Sequence, residues 1–381
     1  MADFSAFKGR ACPEWYAEPQ FGVFIHWGIF SLPAFAPAGR SITALFETDY
    51  DTAFVDGPYA EWYDNALRDP SSPTSAHHRE HYGDAPYADF RAPFEAAARA
   101  FDAGAWADLF AAAGAKYVVF VTKHHDGFCL WPTEVANPWR PGWNSQRDFV
   151  GELAEAVRAR GMRFGLYYSG GLDWTAHPRL IRNLGEMFAA VPTDDAYRAY
   201  AVAQVKELID RYRPSVLWND IAWPNAEDLP DLFAYYYDAV PDGVINDRWM
   251  GTSALFEGLR EPAACAAFNS MVKARIAEQG VHAPSAPPPH CDFRTVEYGS
   301  GAHLAGQKWE STRGLGLAFG YNAAEPTGDY MTGADIAALF TEVKRDGGNL
   351  LLNVGPRADG SIPDIQSKAL LEFSRLAFGP A

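Results

Sequence analysis

The chain has 381 residues, with 32 Lys and Arg against 48 Asp and Glu; the formal charge of −16 argues against an electrostatic grip on nucleic acid or on an anionic membrane. Hydrophobic residues make up 48% and charged residues 21%, which excludes a disordered chain, and the length suits either two domains or one large barrel. Four cysteines without CxxC spacing, an N-terminus (MADFSAFKGRACPEWY) lacking a basic-then-apolar leader, and no run of about 18 apolar residues predict a cytoplasmic protein without disulfide staples or a membrane span. A periplasmic or secreted location follows only if a leader has been trimmed.

In chain order, the first apolar run, 21–26 (FGVFIH), reads as a strand. Residues 35–94 follow, rich in Pro, Ser, Tyr and His, as in a long functional βα loop. A helix over 103–113 leads to a strand over 117–123 (YVVFVTK). A helix over 149–160, stopped by Gly161, leads to a strand over 163–169 (RFGLYYS). Helix 197–212 precedes strand 215–220 (SVLWND), and helix 226–239 precedes strand 243–247 (GVIND). A second irregular stretch, 250–291, contains a helix over 263–279 and then HAPSAPPPH, whose proline run cannot be helical. Strands over 293–298 (FRTVEY) and 316–321 (GLAFGY), helix 333–345, strand 349–354 (NLLLNV) and helix 364–378 complete the chain. The strands are apolar throughout rather than alternating, as when both faces are buried. Eight of them interleaved with helices predict an α/β fold, a (β/α)8-like (TIM) barrel, as one domain over 1–381. No GxGxxG or GxxxxGK[ST] follows any strand, which removes the main support for nucleotide binding.

On such a barrel, chemistry collects at the C-terminal strand ends. Those ends carry His26, His124-His125-Asp126, Tyr167-Tyr168, Asn219-Asp220, Asp247-Arg248, Glu297, Asn322 and Asn353. Asp220 ends the strand that carries Val216, Leu217 and Trp218, and reads either as a helix N-cap or as a carboxylate desolvated at the barrel mouth. Glu297 reads either as an ion-pair partner of Arg294 or as the second member of a carboxylate pair, the arrangement that cleaves glycosidic bonds. His124 and His125 are adjacent, so they point to opposite sides of a strand. With no HExxH nearby they suggest hydroxyl binding rather than a metal site. The 12 Trp, 18 Tyr and 25 Phe fit a well-filled core or walls that stack on a sugar.

The blocks WYAEPQFGVFIHWGIFSLPAF, KYVVFVTKHHDGFCLWPT, LWNDIAWP, NDRW, DFRTVEYG and GGNLLLNVGPRADGSIP occur in this order between Trp15 and Pro363. Together they resemble the α-L-fucosidase family of glycoside hydrolases, most closely its bacterial members. The resemblance implies a retaining exo-glycosidase on a (β/α)8-like barrel, needing no metal or cofactor and acting on fucosylated glycans or glycosides. It implies Asp220 as nucleophile and Glu297 as general acid/base, with Glu257, Glu261 and Glu310 as the other carboxylates open to that role. It implies His26, Glu61, Trp62, His124, His125, Tyr168 and Arg248 as hydroxyl ligands, and Phe319 as the contact for the sugar's C6 methyl. Many members carry Trp in the block that reads FGYN here, and most continue into a C-terminal β-sandwich that this chain is expected to lack. Apolar residues of the last helix, Ile365, Leu370, Leu371, Phe373, Leu376 and Phe378, exceed one narrow stripe. A homodimer and a monomer wrapped by this helix are both open.

Overall fold

A computed structural model describes residues 2–251, 253–282, 287–304 and 306–379. Eight strands form one parallel sheet among these residues: β1 Phe21–Ile25, β2 Tyr117–Lys123, β3 Arg163–Ser169, β4 Val216–Asp220, β5 Val244–Ile245, β6 Arg294–Glu297, β7 Trp309–Gly314 and β8 Asn349–Val354. Their spatial order is β5-β4-β3-β2-β1-β8-β7-β6, the cyclic order of a (β/α)8 barrel opened between β5 and β6. Other bonds bridge that seam. The Asp292 N–H donates to the Ile245 carbonyl (3.0 Å), and the Ile245 N–H donates back to Asp292 Oδ2 (2.8 Å). One turn higher, Asp247 Oδ1 accepts from both the N–H (3.0 Å) and the hydroxyl (2.6 Å) of Thr295.

Apart from β6, whose Thr295 and Glu297 are half-buried, the strands bury both faces along most of their length, so the core has two layers. Phe24, Val119, Val121, Tyr167, Trp218 and Leu351 point into the barrel, while Val118, Phe120, Leu166, Tyr168 and Leu217 point out against the helices. Gly22 on β1 matters here: a Cβ would lie 2.5 Å from the Tyr117 ring, so glycine makes the room that ring occupies inside the barrel.

Seven of the eight expected strands are present within two or three residues of their predicted ends; the expectation over 316–321 is wrong. The seventh strand is Trp309–Gly314, WESTRG, whose polar character hid it. Its inward Glu310 is buried on the barrel floor, accepting from the Tyr16 and Tyr117 hydroxyls (both 2.6 Å) and from the Trp218 indole N–H (3.1 Å). The apolar GLAFGY segment is instead the loop after β7, and its Phe319 lines the site. The long 35–94 stretch is not irregular either. It folds into short helices, Ile42–Thr48, Tyr63–Leu67, Pro73–Tyr82 and Arg91–Ala97, the first and third started by Ser41 and Ser72 side-chain caps. In the 250–291 stretch the expected helix is present as Pro262–Gln279; residues 283–286 of the proline-rich run lie outside the described residues. On the last helix, Asp364–Phe378, Leu370 and Phe373 are buried while Leu371, Leu376 and Phe378 are exposed. No helix among the described residues is long and apolar enough to cross a membrane.

Candidate active site

Parallel strands end at one mouth, and a pocket of about 390 Å³ opens there. It is lined by His26, Glu61, Trp62, His124, His125, Asp220, Arg248, Glu297 and Phe319, so nine of the ten residues expected from sequence meet in one cavity. Tyr168 does not join them. Side chains alternate along β3, and Tyr168 faces outward, donating its hydroxyl to Gln204 (2.9 Å) on helix Asp195–Tyr212. Its neighbour Tyr167 faces the pocket and donates to Asp220 Oδ2 (2.8 Å). The resemblance implied Tyr168, but adjacent strand residues face opposite ways, and Tyr167 is the one on the pocket side.

The carboxylates are joined by one cation. Arg248 Nη1 donates to Asp220 Oδ1 (2.9 Å) and Nη2 donates to Glu297 Oε2 (2.8 Å). The guanidinium lies over the Trp218 ring, 4.9 Å from its centroid. Burial alone would raise the Asp220 carboxyl. Arg248 and the Tyr167 hydroxyl oppose that and help to hold its pKa below the ordinary aspartate value. The Ile221 N–H also donates to Asp220 Oδ1 (2.8 Å), from a residue at φ 70°, a left-handed conformation costly for a β-branched side chain. The helix-cap reading of Asp220 therefore fails, since its acceptors are spent within the pocket. Glu297 is not paired with Arg294 either: that arginine donates to Asp247 (2.6 Å). Of the alternative carboxylates, Glu310 is on the floor and Glu257 and Glu261 are exposed, outside the pocket lining.

The three histidines are kept neutral by burial, which lowers His26 and His125 to about 4 and His124 well below its usual value. His26 Nδ1 pairs with Asn353 Oδ1 (2.7 Å), and that amide is oriented by its own N–H to the Phe319 carbonyl (2.6 Å). The proton therefore sits on Nδ1, leaving Nε2 an acceptor. His125 Nδ1 likewise donates to Ser169 Oγ (2.6 Å), whose own proton goes to the Leu172 carbonyl (2.6 Å). Burial pushes Glu61 up to about 8, against the Gly320 N–H that donates to its Oε2 (2.8 Å), so at neutral pH it is a neutral acid able to donate and accept. Trp62 stacks on Phe54 (centroids 4.5 Å apart), and Phe319 lies 5.0 Å from His26.

Sequence reasoning missed Tyr59, which donates to Glu297 Oε1 (2.8 Å) from within the 35–94 segment. It carries no strand-end signal, and only folding of that segment over the mouth brings it in. Tyr167 had been noted among the strand ends, but the parity of a strand buried on both faces leaves no alternation to read.

Several polar groups converging on a carboxylate pair suit glycoside cleavage, and comparison with known proteins agrees. The family model described as alpha-L-fucosidase matches residues 2–376. The tissue alpha-L-fucosidase of Bos taurus is 31% identical over 385 residues, spanning 98% of this chain and 69% of that protein. The alpha-L-fucosidase of Dictyostelium discoideum is 30% identical, spanning 96% and 70% respectively. The structure of the Thermotoga maritima alpha-fucosidase in complex with fucose superposes with a TM-score of 0.79 at 41% identity, over 98% of this chain and 75% of that one. With the barrel, the paired carboxylates and these matches in agreement, the chain belongs to the alpha-L-fucosidase family of glycoside hydrolases.

Proposed function

We propose that this chain hydrolyses terminal α-L-fucosyl residues with retention of configuration, Asp220 acting as nucleophile and Glu297 as acid/base. The observation that carries this reading is the pair of carboxylates held on the two Nη atoms of Arg248 in one pocket. Asp220 is ionised, so it attacks the anomeric carbon from the face opposite the leaving oxygen. Glu297 protonates that oxygen, giving a β-fucosyl ester on Asp220 and a free alcohol. Glu297, now ionised, takes a proton from water, and the resulting hydroxide equivalent displaces Asp220 to release α-L-fucose. Arg248 lies between the two carboxylates and donates one Nη to each, which fixes how both face the sugar. Neutral His26 and His125 offer Nε2 lone pairs to sugar hydroxyls, and protonated Glu61 supplies a donor. Phe319 supplies an apolar surface for the C6 methyl.

Azide separates the two roles. With Asp220→Ala, azide replaces the nucleophile in a single displacement, and the product is β-fucosyl azide. With Glu297→Ala, azide attacks the fucosyl ester in the second step, and the product is α-fucosyl azide. The same anomer from both variants, or none from either on an activated aryl fucoside, overturns the assignment.

A further inference from the structure

Helix Pro262–Gln279 stands outside the eight-strand plan, in the stretch between β5 and β6. It is nevertheless held firmly. Asn269 is buried on it: Oδ1 accepts from the Tyr50 hydroxyl and the Gly185 N–H (both 2.9 Å), and Nδ2 donates to Asn183 Oδ1 (2.9 Å). Phe268 packs edge-on against Phe188 (centroids 5.9 Å apart), and Lys273 pairs with Asp51 (2.6 Å). These contacts fix the helix to the Tyr50–Thr52 turn and to the short helix Leu184–Ala189.

Between this helix and the end of β6 runs a second cavity of about 570 Å³, within the range of small-molecule sites. The helix side of its wall is apolar, with Phe268, Met271, Val272 and Ile276 facing Phe188 and Leu304, while Arg275, His282, Arg294, Tyr298 and His303 are among its polar members. It is continuous with the sugar pocket: Ile42, Phe46, Leu184, Thr295 and Glu297 line both. Glu297 is the decisive member. The group that protonates the leaving oxygen must sit beside it, so every atom beyond that oxygen leaves on the side of Glu297. There the chain runs into the helix-walled cavity. Arg294 and Thr295 are already bonded to Asp247, and the Tyr298 hydroxyl to the Leu317 carbonyl and the Gly314 N–H, so a sugar lying along the helix would bring hydroxyls to a hydrocarbon wall without free partners there. An alkyl or aryl group would be stabilised by burial. Among the described lining residues no carboxylate other than Glu297 is present, so nothing there selects a cationic aglycone.

We infer that this cavity is an aglycone subsite for apolar alcohols, and that the helix Pro262–Gln279 makes the enzyme prefer alkyl or aryl fucosides over fucosyl disaccharides. The inference rests on the fucosidase reading and on Glu297 facing the leaving group. It is tested with methyl, butyl and octyl α-L-fucosides. Their leaving alcohols have nearly the same acidity, so differences in kcat/KM report binding rather than bond cleavage. Each buried methylene can add up to about four-fold; octyl over methyl is expected to reach at least about 30-fold. Carrying Phe268→Asp together with Val272→Asp should reduce that octyl-to-methyl ratio to within about three-fold. The ratio is taken within each variant, so a general loss of activity cancels. Val272→Asn alone, a milder change in case the charged double variant does not fold, should lower the ratio about five-fold. A flat alkyl series, a ratio preserved in both variants, or a fucosyl disaccharide turned over better than the octyl fucoside overturns the subsite. Absence of turnover on every fucoside, methyl included, overturns the fucosidase reading and this inference with it, an outcome distinct from a flat series.

Discussion

At Asp220 the protein meets a simple electrostatic problem: a carboxylate in a buried pocket must stay ionised. Arg248 and Tyr167 donate to it, and Tyr167 is the one whose contribution can be removed with least disturbance. A hydrogen bond to a charged group contributes about 1.5–3 kcal/mol, so Tyr167→Phe should lower kcat/KM by roughly ten- to a hundred-fold. Because the hydroxyl helps to hold the Asp220 pKa down, its loss should also move the acid limb of the kcat/KM profile to higher pH. Tyr168→Phe, on the opposite face of β3, should change kcat/KM by less than about two-fold. Steady-state kinetics of the two variants across pH checks both statements, and the reverse ranking would return Tyr168 to the site.

At the scale of elements, the C-terminal end of β2 is tied to the loop after β3. Lys123, the last residue of β2, forms an ion pair with Asp173 (2.8 Å) with both side chains fully buried, and the ammonium lies 4.4 Å from the centroid of the Tyr168 ring. Asp173 also accepts from the Thr175 N–H and hydroxyl, and the next residue, Trp174, donates its N–H to the His125 carbonyl (2.7 Å). The pair therefore anchors the backbone that presents His124 and His125. Lys123→Met leaves the Asp173 charge buried without its cation and should cost about 3–5 kcal/mol, read as a lower urea midpoint at unchanged slope. A cost under 1 kcal/mol would show that the pair is solvated in solution.

Closure of the barrel belongs to the whole molecule. β5 has two residues, too few to form a ladder with β6, and Asp292 bridges the gap with side chain and backbone together. Its carboxylate also accepts from the Tyr237 hydroxyl (2.7 Å) and from Arg10 (3.2 Å), so the N-terminal segment is tied to the same point. Asp292→Ala should destabilise the fold by about 2–3 kcal/mol, because it strands the buried Ile245 N–H as well as removing partners. Chemical denaturation measures it. The pH dependence of stability carries a second signature. Glu61 has its pKa raised from 4.5 to about 8 by burial. The folded state then holds a proton that the unfolded chain releases, so this contribution is complete below pH 4.5 and is lost as pH rises through 8. Glu61→Gln should accordingly gain stability relative to the parent between pH 5 and pH 8, by on the order of several kcal/mol. A difference that stays constant across that range would mean that Glu61 is ionised in the folded protein.

Much of this architecture was legible in the residues. Doubly buried parallel strands must be apolar along their whole length, and FGVFIH, YVVFVTK and NLLLNV announce themselves for that reason. Parallel strands also bring all their C-terminal ends to one mouth, which is why Asp220, Glu297, His26 and Arg248 could be grouped before any coordinates were known. The same physics set the limit. A strand buried on both faces has no alternation, so whether Tyr167 or Tyr168 looks inward is decided only by register in the sheet. β7 broke the apolar rule because its Glu310 finds Tyr16, Tyr117 and Trp218 inside the barrel, partners distant in sequence that make a buried carboxylate tolerable. Tyr59 reaches Glu297, and Arg248 joins Glu297 to Asp220, only after separate segments fold over one mouth. Composition and local pattern determined which residue types are present and where the strands end. Their pairing depends on long-range packing, and that the tertiary structure alone decided.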